Sequence, residues 1–229
     1  MEGLLGVAVV ETETEAIVLA PGVAARVVVA ARKRVPASDI PTLRGPLAAA
    51  FPESMSVGVL KQCDEQTLVA LTAVLDAVRQ TGQPSSEFES WGVIACPRVP
   101  GRRRFQDAVV KFRGQGAWSV TPHFIPHCML HSLSGLMSQA LRLHGPNIGV
   151  GGETGEGDDV LWTAAAWLAG GEAPGAWLVW TGWDRETLKE GDGTCEALVV
   201  GVVPAAGAMA THEPALAAFD RIARRGDGR

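Results

Sequence analysis

Hydrophobic and polar positions follow two different periods along this chain. Short β-branched runs at 5–10, 17–20 and 27–31, parted by glutamate-rich and Pro-Gly segments, predict strands of a small meander. Arg32, Lys33 and Arg34 then lead into a loop marked by Pro36, Pro41 and Pro46, and read as a solvated face or linker. Over 66–80 the period becomes helical: Leu68, Leu71, Leu75 and Val78 recur three and four residues apart, with Asp76 and Arg79 between them. Asp64 is placed to cap this helix and Gly82 to stop it. A strand at 91–96 follows, then a basic loop around Arg102, Arg103 and Arg104, then Gly114-Gln115-Gly116.

The second half alternates regularly. It predicts helices over 133–143, 160–169 and 214–224, and strands over 147–151, 176–181 and 196–203. Such alternation indicates an α/β layered sheet. The helix over 160–169 differs from the others. Val160, Leu161, Trp162, Ala164, Ala165, Ala166, Trp167, Leu168 and Ala169 leave almost no polar face. A helix apolar all round is buried on all sides. Either two layers of its own chain enclose it, or a partner covers its outer face. The remaining strands are too few to build a second full sheet, so an oligomer is expected.

The segment 121–184 carries most of the information. Its order is a Pro-rich entry, a helix with small residues (Ser132, Ser134, Gly135, Ser138), a Gly-Pro-Asn turn, a short strand, a Gly-rich elbow, a helix and a strand. A strand running into a sharp turn at a helix N-terminus can present a side chain and backbone N–H groups to a substrate. The segment resembles the nucleophile region of β-ketoacyl synthases. Pro126, Ser134-Gly135, Gly145-Pro146-Asn147-Ile148, Val150, Gly157 and Ala169-Gly170-Gly171 carry the resemblance, which extends over about 60–203 and is weak over 1–60. It implies a layered mixed sheet with helices on both faces, half of a thiolase-like fold, formed by 1–229 as one domain.

The departures from the family pattern are as informative. Counted from the Gly-Pro-Asn turn, the family's active cysteine falls at Thr154, and a one-residue shift places Glu153 there. A thiolate is an effective nucleophile toward thioesters, whereas a threonine hydroxyl needs a strong local base. The family's two histidines and its lysine belong to a C-terminal half not found in these 229 residues. The resemblance therefore implies a non-catalytic, chain-length-factor-type subunit. Its expected partners are a ketosynthase, in a homo- or heterodimer, and an acyl carrier protein. The alternative is a divergent acyltransferase acting as a homodimer through Thr154 or Glu153.

Other clusters alter this picture little. His123, His127 and His131 recur every four residues, beside Cys128, and on one helix would form a zinc site for a metal-dependent hydrolase. Pro122 and Pro126 break that alignment, leaving loop or interface histidines. The acidic elbow of 152–159 has no lysine, so it caps a helix rather than cradling phosphate. Arg102, Arg103, Arg104, Lys111 and Arg113 form a basic cluster for docking an acidic carrier protein, or else a solvated loop. No cofactor is expected. Hydrophobic residues make up 47% of the chain and charged residues 20%, a globular balance. The net charge of −5 excludes general nucleic-acid binding, and no apolar run is long enough to cross a bilayer. The acidic start, Met1-Glu2-Gly3, and four cysteines without CxxC spacing predict a cytoplasmic protein with reduced thiols.

Overall fold

The computed structural model describes residues 16–151, 157–185, 193–205 and 214–226. The strand expected at 5–10 lies outside them. One six-stranded sheet organises the rest. It contains β1 (Ala16–Ala20), β2 (Val23–Pro36), β3 (Gly92–Pro97), β4 (Asn147–Gly149), β5 (Ala176–Trp183) and β6 (Thr194–Pro204) in the order β1-β2-β6-β5-β3-β4. β3 pairs in parallel with β4 and β5, and the other pairs are antiparallel, so the sheet is mixed.

Alternate residues of β2, β3, β5 and β6 feed two cores, one on each face. Val93 and Ala95 of β3, Trp177 and Val179 of β5, and Ala197 and Val199 of β6 face the first core. Ile94, Leu178 and Val200 face the second. The first core is covered by α3 (Glu65–Thr81), with α5 (Leu130–Leu141) and the short helices α1 (Arg44–Ala50) and α2 (Val57–Gln62) around it. The second is covered by α6 (Gly157–Gly170) and α7 (Ala215–Gly226). The expected α/β architecture, a mixed sheet with helices on both faces, is what the chain forms. No described helix is long and apolar enough to cross a membrane.

The boundaries of α3 follow its caps. The Asp64 side chain accepts a hydrogen bond from the Gln66 N–H, and Gly82 ends the helix in the left-handed conformation at φ 64°. Its buried face is wider than the leucine stripe, since Val69, Ala70, Ala73, Val74 and Ala77 are also fully buried. The helix lies between the sheet and its neighbours, α1 and α5, so two of its sides are covered.

Arg32, Lys33 and Arg34 are neither loop nor linker; they lie inside β2. An irregularity between Val27 and Val29 inserts one residue opposite the Val202–Gly201 step of β6. Such a bulge resets which residues face which side. Beyond it, Arg32 points toward α7 and contacts Glu196 at 2.6 Å and Asp220 at 2.5 Å. Lys33 points the other way, to Asp76 of α3 at 2.8 Å. Arg34 returns to Glu196 at 2.7 Å. The Arg32 side chain is only 23% exposed, so its pairs are less screened than surface ion pairs. Arg32→Ala is expected to lower the unfolding free energy by about 1.5–3 kcal/mol in urea titration, the scale of lost hydrogen bonds to charged groups. An unchanged midpoint would mean that both pairs are surface decoration.

Candidate functional site

The Gly-Pro-Asn turn is clamped to the start of β3. The Val93 N–H donates to the Pro146 carbonyl at 2.9 Å, and the His144 N–H donates to the Glu89 carbonyl at 2.6 Å. A Cβ on Gly145 would collide with the Trp91 carbonyl, and one on Gly149 with the Leu130 backbone. Glycine at these two places lets the turn and β4 approach their neighbours. The Val150 N–H continues the ladder to Ala95 at 2.8 Å, and Gly151 leaves it at φ 68°. Thr154 and Glu153 lie outside the described residues. α6 then starts with Asp158 and Asp159 in its first turn, where negative charge complements the helix dipole.

α6 is buried on one side only. Val160, Leu161, Ala164, Ala165 and Leu168 pack into the second core. On the opposite side Trp162 is 57% exposed, and Ala166 and Ala169 are exposed beside it. Enclosure by two layers of the same chain, one of the two arrangements its composition allows, does not occur among the described residues.

The segment around Arg102 is a helix, not a loop: α4 (Arg102–Gln115). The β3–α4 turn is fixed by a buried polar relay. Thr181 donates its hydroxyl proton to Gln66 Oε1 at 2.7 Å, and Gln66 Nε2 donates to the carbonyls of Arg98 and Val99 at 3.0 and 3.3 Å. Beside it, Asp64 is 3% exposed and carries the N-cap role. Burial, with the adjacent Glu65 carboxylate, pushes the Asp64 carboxyl up to about 8. Burial also pushes the Cys63 and Cys128 thiols up to about 11, and that of Cys195 up as well, so all three are thiols at neutral pH.

The expected docking residues divide into two groups. Arg104 donates to the carbonyls of Lys61 and Cys63 at 3.1 and 2.8 Å, satisfying the end of α2, and Arg103 stacks over the Trp183 ring at 5.8 Å. Arg102 reaches the Arg185 carbonyl at 3.4 Å. Lys111 and Arg113 are exposed on the outer turns of α4. Two of the three histidines have partners other than each other. His127 contacts Gln62 at 3.0 Å, and His131 contacts the Ser134 hydroxyl at 3.3 Å. His123 lies in the 3-10 turn Pro122–His127, its side chain outside the described residues. Among the described residues no three His, Cys, Asp or Glu side chains are placed to hold a metal ion. Burial, then Arg104, lowers the His127 pKa.

No protein-family model matches the sequence, and no curated protein is a significant relative. Solved structures do match by shape. A type II polyketide acyl carrier protein in complex with its hexaketide-bound ketosynthase aligns at TM-score 0.59 and 11% identity, over 83% of this chain and 64% of that one. The ishigamide ketosynthase/chain length factor aligns at TM-score 0.55 and 16% identity, over 80% and 63%. The fold is of the ketosynthase type. The chain spans less than two thirds of the length of both those structures. A structure of a ketosynthase with its chain length factor, from Xenorhabdus doucetiae, aligns at TM-score 0.51 and 11% identity, over 88% of this chain and 91% of the matched one.

Within this ketosynthase-type fold, sequence reading misses one surface. α4 has no buried residue, yet Phe105, Val109, Val110 and Phe112 are all exposed along it. The signal is present in the sequence: Phe105, Ala108, Val109 and Phe112 are spaced three, one and three apart, a helical stripe hidden behind the arginine run.

Proposed function

We propose that this chain is a non-catalytic, ketosynthase-like subunit of the chain-length-factor type. It pairs with an active β-ketoacyl synthase during fatty-acid or polyketide-type elongation in the cytoplasm, and an acyl carrier protein docks on its basic side. The observation that carries the reading is the uncovered outer face of α6, on a ketosynthase-type fold. Trp162, Ala166 and Ala169 give a surface with a large aromatic anchor among small residues, the composition of a hot spot. The basic side is α4, where Lys111 and Arg113 are exposed beyond the contacts that Arg102, Arg103 and Arg104 make. Two of the matched structures are complexes of the kinds proposed: a ketosynthase with its chain length factor, and an acyl carrier protein with its ketosynthase.

The test is co-expression of the tagged chain with a ketosynthase from its native host, followed by binding titration. A complex is expected, weakened at least about tenfold by Trp162→Glu, which introduces a charge where an aromatic anchor was buried. The reading is overturned if the wild-type chain binds no ketosynthase, or if the complex ignores Trp162→Glu and Ala166→Glu alike.

A further inference from the structure

The exposed side of α4 forms one wall of an open groove of about 430 Å³, lined by Phe105, Ala108, Val109 and Phe112, and across from them by Ala117, Val120 and Ile125. Every one of these residues is apolar. A contiguous apolar surface of this kind marks an interaction site more often than chance exposure does. From Phe105 to Phe112 the groove runs about 10 Å along the helix, two turns at 1.5 Å per residue. That is the span of side chains at i, i+3 or i+4, and i+7 on a docked helix.

Two features narrow the occupant. Phe105, Val109, Phe112 and Ile125 are all exposed, so the groove is shallow and open along its length. A small ligand is normally buried over most of its surface, and here it would not be. Charge decides the rest. At 100° per residue, Arg102 and Arg113 border one edge of the stripe, and Arg104 and Lys111 lie toward the other. α4 carries five basic residues and one acidic residue, Asp107. Packing it against its own copy would set like charges opposite one another, which is unfavourable.

We infer that this groove receives the apolar face of an acidic amphipathic helix from a partner protein. Leucine-like side chains enter between α4 and the 117–125 segment, and carboxylates on both margins meet Arg102, Lys111 and Arg113. This deepens the carrier-docking reading above and rests on it for the partner's identity, since the groove itself defines only the helix chemistry. The expected binding is salt-sensitive, because the marginal pairs stay exposed, while its apolar part is not screened.

The probe is a labelled 18-residue synthetic helix, leucines on one face and glutamates on its flanks, titrated by fluorescence anisotropy against the full chain. Saturable binding is expected, at least tenfold weaker for Val109→Asp and for the Lys111→Glu/Arg113→Glu double variant. All three substituted positions are exposed, and unchanged circular dichroism confirms that the fold is kept. The inference is overturned if Val109→Asp binds as wild type, or if a lysine-flanked peptide binds equally well. It is also overturned if a fatty acid displaces the peptide at equal occupancy, or if the free chain is a dimer that Val109→Asp splits in sedimentation. Carrier protein is titrated separately. If carrier binds but ignores Val109→Asp, the groove inference fails and the docking reading stands; if the peptide binds and carrier does not, the reverse holds.

Discussion

Trp177→Ala is expected to lower the unfolding free energy by about 3–5 kcal/mol, the cost of emptying an aromatic site in a close-packed core. Trp177 is fully buried on β5, in a cluster with Phe88 at 5.2 Å and Trp91 at 5.6 Å between ring centroids. Phe88 and Trp91 meet edge-on at 4.9 Å and 88°. Gly175 leaves room for Trp91, since a Cβ there would stand 2.5 Å from its ring. The cluster is thus closed on itself, and little can move in to fill a void. One effect opposes the loss: the Trp177 indole N–H is buried without a hydrogen-bond partner among the described residues, and its removal recovers about 1–3 kcal/mol of desolvation cost. The two effects separate in Trp177→Phe. That variant keeps most of the ring contacts and loses the orphan N–H, so it should cost clearly less than Trp177→Ala, by about 1–3 kcal/mol. Guanidinium unfolding of both variants decides it. Equal losses in the two would show that the ring contacts are not what holds the site.

The second large effect concerns pH. Asp64 is buried at the N-cap of α3, and desolvation raises its carboxyl to about 8, with the neighbouring Glu65 adding to the rise and the Gln66 N–H and Arg104 opposing it. In the unfolded chain an aspartate titrates near about 3.9. Between those values the folded state holds a proton that the unfolded state has released, so stability falls as pH rises through this window. Above it, both states are ionised and the contribution is flat. A paired surface carboxylate would give the opposite slope. Asp64→Asn keeps a capping side chain and removes the titration. It is expected to flatten the melting temperature between about pH 4 and 8 and to be the more stable protein at the upper end. Wild type and variant with parallel melting profiles across that range would refute the assignment.

The residues most legible in the sequence are those whose surroundings are local. The Asp64 cap, the Gly82 stop and the period of α3 depend on a few turns of chain, and they can be read directly. So can the Gly-Pro-Asn turn, because tight turns restrict residue choice. β2 is legible only in its middle, since the extra residue between Val27 and Val29 breaks the alternation that marks a strand. The arginines of β2 mislead for a related reason. Their partners, Asp76, Glu196 and Asp220, are remote in sequence, and a charge run with unseen partners resembles a solvated one. α4 is lost to its own composition, its three leading arginines and Gly114 outweighing a short apolar stripe. For α6 the sequence shows a helix apolar all round, and only the packing shows which side stays open.

The resetting of β2 has a mechanical meaning. Because Arg32 and Lys33 are adjacent on one backbone yet grip opposite layers, α7 cannot slide along the sheet without loading the strand that also holds α3. From α3 the same line of contacts runs through Gln66 to the carbonyls of Arg98 and Val99, where α4 begins. α7 and the turn that leads into α4 are therefore joined through ion pairs and hydrogen bonds of the fold rather than through solvent.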